Sequence, residues 1–177
     1  MTHRPRTLVA LALVALAATA GCVGPFAGGT ESTPDPTPTA TPVHPDYEQT
    51  TVRVLDGESD DELGRVEAAV ADNRSLRATG LSETDSMPNG RGMLFLYDDE
   101  RELTYWMKNM SFGLDIVFVY GNGTIQSIHG APEPGPGEDG TGQRYSGEGR
   151  YVLEVNRGWT DERGIEAGDR LEFDQPE

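Results

Sequence analysis

A chain of 177 residues is long enough for one ordinary domain with appendages. Its 30 acids against 14 Lys and Arg give a formal net charge of −16, which repels nucleic acid and excludes a basic nucleic-acid-binding face. The single cysteine, Cys22, excludes an internal disulfide. Among the cations Lys108 is the one lysine, and the other 13 are arginines. The acids are spread through strand-patterned segments and large aliphatics are sparse. That combination reads as adaptation to concentrated salt, where a carboxylate-rich surface holds water and self-repulsion is screened.

At the N-terminus Arg4 and Arg6 precede an apolar run, Leu8 to Ala20. It is shorter than the roughly 20 residues of a membrane-spanning helix and fits the core of a secretory signal. Cys22 follows small residues, and the junction resembles the lipobox of secreted lipoproteins, with Thr19 where a leucine-like residue is usual. In such proteins the sulfur carries a lipid and the cysteine becomes the new N-terminus. Arg-Pro-Arg is not the Arg-Arg pair of the twin-arginine route. From Gly24 to about Pro45, Thr-Pro repeats remove amide donors and fix φ, so this stretch reads as an extended spacer in which His44 is solvated. The expected organisation is a signal at 1–21, a lipidated cysteine and stalk at 22–50, and a domain at 51–177. The partner would be the membrane, through the lipid on Cys22, with the domain on the outer face of the cytoplasmic membrane. Asn73, Asn109 and Asn122 head Asn-x-Ser/Thr sequons and are candidate glycan acceptors on an exported chain.

Within the domain, Thr51 to Leu55 alternates as a strand, and Val66 to Val70 fits either a strand or a helix. Ser75 to Gly80 reads as a short helix stopped by its glycine. Gly92 to Tyr97 and Leu103 to Met107 read as a hairpin about Asp98-Asp99-Glu100. Leu114 to Tyr120 is the strongest strand signal, and Gly121-Asn122-Gly123 turns it into an antiparallel Thr124 to His129. Pro132 to Gly149 is nearly all Gly, Pro and acid and reads as an exposed, mobile loop. Its Glu133, Glu138 and Asp139 are hard-cation ligand types, but their spacing is not that of an EF-hand. Tyr151 to Val155 is a strand, Trp159 to Arg163 a helical turn ended by Gly164, and Arg170 to Phe173 a last strand. The sum is a mainly β fold, a compact antiparallel sandwich or barrel with one or two short helices.

A series of short stretches carries a resemblance. Gly80-Leu81, Arg91 to Phe95, Trp106 to Asn109, Leu114 to Ile116, Tyr151 to Asn156 with Gly158, Gly164-Ile165 and Ala167 to Asp169 follow in one order from about Thr51 to Phe173. In that order they resemble the bacterial and archaeal domain-of-unknown-function family numbered 192. The acidic composition suggests a member exported by a halophilic archaeon. The resemblance implies a compact β fold and no established activity. Ser82 and Gly113 depart from the residues usual there.

Chemistry is expected around Lys108. A chain that uses Arg elsewhere retains here one compact, deprotonatable ammonium. Asp115 opens the most apolar strand and Glu154 interrupts another, and a carboxylate amid core residues needs a partner. These observations suggest one partly buried cluster of Lys108, Asp115 and Glu154, with Asn109 and Asn156 nearby. Trp106, Trp159, Phe95, Phe112 and Tyr105 read as core, although an exposed aromatic pair would stack on sugar rings. Trp106, beside Lys108, joins the ligand-binding candidates. Met93, Met107 and Met110 read as gap-fillers. With Cys22 on the anchor and His129 the one histidine after residue 50, no Zn site is expected, and neither a nucleophile elbow nor a cofactor motif occurs. The leading expectation is a non-catalytic surface module that binds a small polar ligand or an envelope partner. The alternatives are an envelope hydrolase using Asp115 and Glu154 near Lys108, and a purely structural envelope protein.

Overall fold

The computed structural model describes residues 43–174; Cys22 and its flanking segments lie outside them. The elements run β1 (Gln49–Leu55), β2 (Glu62–Ala71), α1 (Arg74–Thr79), β3 (Arg91–Trp106), β4 (Leu114–Val119), β5 (Ile125–Ala131), β6 (Arg144–Asn156), a 3₁₀ turn at Asp161–Arg163, and β7 (Arg170–Phe173). All seven strands form one sheet in the order β5-β4-β6-β3-β2-β1-β7. The sheet curls into a half-barrel. At one end its two edges approach, where Thr124 bridges Arg170 and Leu171 N–H donates to the Gly123 carbonyl.

The fold is mainly β, as the alternation implies, and the barrel-like form is the one adopted. Val66 to Val70 lies in β2, because its Val and Ala side chains pack a sheet face and no helical stripe exists. One pairing is not antiparallel. β2 and β3 run parallel, joined by the crossover that contains α1. Asn73 caps α1 by accepting from the Ser75 and Leu76 amides, and Gly80 ends it at φ +51°.

Each face of the sheet has its own apolar cluster. One contains Val52, Val66, Leu94, Val117, Leu153 and Val155. The other contains Met93, Phe95, Met107, Ile116, Phe118 and Val152. Period-2 alternation sends neighbouring residues of a strand to opposite clusters. β4 is buried along its whole length because both faces are covered.

Three expectations change. The hairpin at residues 92–107 is instead one continuous strand, β3, whose two halves both pair with β6. The polar run from Asp98 makes an irregularity between Leu96 and Arg101 rather than a chain reversal. Residues 144–149, expected in a mobile loop, are the first half of β6. His44, expected as a solvated spacer residue, is half-buried, stacked on Tyr47, and bonded through its imidazole to the Gly80 carbonyl at 2.9 Å. Val43 is buried beside it, and β1 begins at Gln49.

Candidate functional site

Register decides where each candidate carboxylate points. Asp115 pairs with Val155 and Ile116 with Glu154, so the two acids lie one step apart on adjacent strands. Alternation then directs them to opposite faces of the sheet. The expected triad is therefore divided: Glu154 shares a cavity with Lys108, and Asp115 does not.

Asp115 is fully engaged. Its carboxylate accepts from Gly158 N at 3.1 Å, Thr160 N at 2.9 Å and Thr160 Oγ1 at 2.7 Å. It fixes the loop leading into the 3₁₀ turn. Asn156 is also away from the cavity, and its amide donates to the Met87 carbonyl at 2.9 Å. These two candidates hold loops onto the sheet.

Glu154 has the contrary setting. It is 4% exposed between Met93 and Ile116, its cross-strand neighbours, which are both fully buried. Its carboxyl has no hydrogen-bond partner among the described residues. Desolvation raises it from the ordinary carboxylate range to about 8, so the neutral acid predominates at neutral pH.

Above Glu154 lies a cavity of about 150 Å³, bounded by the end of α1, by Phe95 and Tyr105 of β3, and by the Trp106–Met110 turn. Tyr105 stands in its wall, packed edge-on against Phe95 and bonded through its hydroxyl to the Tyr97 hydroxyl at 3.0 Å. Burial raises the Tyr105 phenol well above its usual value; the neighbouring Tyr97 and Glu154 add to this, and Arg77 opposes it. Arg77, Thr79, Ser82, Lys108 and Asn109 are also in the polar lining. Glu154 is the only carboxylate among the lining residues described.

The Lys108 turn is held from the loop that the sequence makes look mobile. Asn109 takes φ +58°, and its amide donates to the Asp139 carbonyl at 2.9 Å. Met107 N–H donates to the Gln143 carbonyl, and Gly140, at φ +74°, lies so close to the Met107 carbonyl that any side chain there would collide with it. Lys108 has no carboxylate within 4 Å among the described residues; its ammonium sits 5.3 Å from the centre of the Trp106 ring. Arg144 covers the same ring at 4.8 Å. Trp106 is 45% exposed and belongs to the cavity rim, not to the core.

Four of the candidates thus meet at one site: Trp106, Lys108, Asn109 and Glu154. Sequence reasoning missed Arg77 and Ser82, and placed Tyr105 in the core. The parallel β2–β3 crossover, which brings α1 to the cavity, and the pairing of β3 with β6, which brings Glu154 there, are not written in the local pattern. Of the sequon residues, Asn73 is committed to its cap, Asn109 lies at the cavity, and Asn122 is exposed in the turn, accepting from Thr124 N. Among the described residues no three His, Cys, Asp or Glu side chains converge as a metal site, and no helix is long and apolar enough to cross a membrane.

A curled-sheet domain with a small polar cavity over Glu154 defines the structural class. Residues 56–173 match the family model DUF192, described as Uncharacterized ACR, and the chain belongs to that family. Two solved structures are similar. A candidate transcription regulator from Sinorhizobium meliloti is 31% identical with a TM-score of 0.64, the match covering 72% of this chain and 95% of that one. A protein of unknown function from Novosphingobium aromaticivorans is 29% identical with a TM-score of 0.61, covering 76% and 94%. No curated protein matches the sequence.

Proposed function

We propose that this chain is a lipid-anchored module of the cell surface that binds a small polar ligand, without turnover, in the cavity between Glu154 and Lys108. The observation that carries this reading is Glu154, a buried residue whose carboxyl has no hydrogen-bond partner among the described residues and faces an open polar cavity. Burying such a group without compensation costs on the order of 1–3 kcal/mol, which a ligand that bonds to it would offset.

The hydrolase alternative needs two carboxylates flanking one scissile bond. Asp115 is on the far face of the sheet and its oxygens are occupied. The regulator description of the Sinorhizobium protein does not transfer readily either. A chain of net charge −16 with a single lysine suits a phosphate backbone poorly.

Binding is tested by thermal shift of the full chain in molar KCl against a panel of small polar compounds. At least one chemical class should raise Tm, the stabilisation growing with the logarithm of concentration to about 2.7 kcal/mol at a hundredfold excess over Kd. The raise should be weakened by Glu154→Gln, with the compound recovered unchanged. No shift across the panel, or conversion of the compound, would contradict the reading.

The anchor is supported by the apolar leader, Cys22 at its junction and the Thr-Pro spacer. Mass spectrometry of the mature chain should find Cys22 as the N-terminus carrying a lipid; a soluble chain beginning at Met1 would contradict it. The acidic, arginine-biased composition supports a high-salt habitat. Dilution from molar salt should therefore unfold the domain, and a melting curve indifferent to salt would oppose this.

A further inference from the structure

A buried acid, Glu154, and an exposed cation, Lys108, line the same cavity. We infer that it takes a small zwitterion, the ligand's ammonium against Glu154 and its carboxylate towards Lys108. This rests on the pocket reading above and adds the ligand's chemical class.

The buried end suits a cation. Glu154 has no hydrogen-bond partner among the described residues, and the rings of Phe95 and Tyr105 line the same cavity. Trp106 carries the same preference at the rim, where its face has already drawn Lys108 and Arg144. The open end suits an anion. In a chain of net charge −16, three cations, Arg77, Lys108 and Arg144, stand on or beside this one cavity. Arg77 is already donating to the carbonyls of Asp72 and Leu96. Lys108 is exposed and has no ion pair within 4 Å among the described residues; the Asp139 carboxylate acts on it only through space, so its ammonium can still receive a carboxylate. A volume of about 150 Å³ admits on the order of five to ten non-hydrogen atoms, the size of a small amino acid.

The proton balance follows. A neutral Glu154 that receives an ammonium group gives its proton to solvent, and a carboxylate–ammonium pair forms. The other titratable or charged groups around it are Tyr105 and Tyr97 on β3, Arg77 on α1 and Lys108 at the turn; β4 presents the apolar Ile116.

The test is calorimetric titration of the full chain in molar KCl with glycine, methylamine, acetate and glycerol. Glycine should bind most tightly. With Glu154 titrating at about 8, its apparent affinity should rise about fiftyfold from pH 6 to pH 8. Near pH 6 one proton should be released per glycine bound, read from heats in buffers of different ionisation enthalpy. Glu154→Gln, which keeps the shape of the neutral acid, should remove glycine and methylamine binding while the circular dichroism is unchanged. Lys108→Gln should weaken glycine more than tenfold and leave methylamine unaffected.

Acetate binding most tightly, with affinity falling from pH 6 to pH 8, would overturn the inference. So would the absence of glycine and methylamine binding. Binding of glycerol alone, without pH dependence, would end the zwitterion and leave the pocket reading standing. Failure of all four probes and of the wider panel would end both.

Discussion

Asp115 on β4 and Glu154 on β6 lie one register step apart, 3% and 4% exposed. Asp115 accepts three hydrogen bonds and ties down the loop before the 3₁₀ turn. Glu154 has no hydrogen-bond partner among the described residues and lines a cavity. Two carboxyls at equal depth in one sheet therefore have different consequences. A satisfied acid works as a structural tie, whereas an unsatisfied one holds a desolvation cost that an incoming group can relieve.

The largest expected effect separates the two by pH. Glu154 titrates at about 8 in the folded chain, against an ordinary value of 4.5. Between these values the folded state binds the extra proton, so stability falls as pH rises. The contribution is complete below pH 4.5 and lost by about pH 8. Denaturant unfolding at pH 5 and pH 8 should show wild type losing on the order of 4 kcal/mol more than Glu154→Gln. Parallel losses in the two proteins would break the contrast.

Next in size is Asp115→Ala, expected to cost about 3 kcal/mol at neutral pH, because the Gly158 and Thr160 donors lose their acceptor. An effect below about 1 kcal/mol would remove its role as a tie. Tyr105→Phe should cost about 1 kcal/mol through the lost bond to Tyr97. The smallest effect belongs to the rim. Lys108→Arg should change stability by about 0.5 kcal/mol or less, since Lys108 is exposed and has no ion pair within 4 Å among the described residues. The same variant should keep part of the ligand binding that Lys108→Gln loses, because a guanidinium also pairs with a carboxylate.

The strands with clear alternation were legible, and so was the Gly121–Gly123 turn, since Val, Ile and Phe at period 2 between glycines have few other solutions. The continuity of β3 was not. Asp98 to Glu102 are polar because that stretch is solvent-exposed, and a solvated strand segment looks like a turn when its partner is unknown. That partner was hidden for a related reason. Gly147 and Gly149 resemble loop residues, but a side chain at Gly147 would strike the Phe118 ring, and one at Gly149 would come within 2.7 Å of the Val119 carbonyl. They are glycines because β4 crosses close against β6.

At the site, Glu154 and Lys108 stood out by contrast with their surroundings: an acid in an apolar run, and a lysine among arginines. The sequence could not supply the register that sends Asp115 to the opposite face. Nor could it show that α1 returns Arg77 and Ser82 to the cavity, since that depends on the parallel β2–β3 crossover.

The ionisation of Glu154 tests the account most directly. Carbon-13 NMR titration of its side-chain carboxyl, in the full chain in molar KCl, should give a midpoint near 8, falling by more than about one pH unit when glycine saturates the cavity. A midpoint in the ordinary carboxylate range, unmoved by glycine, would contradict it.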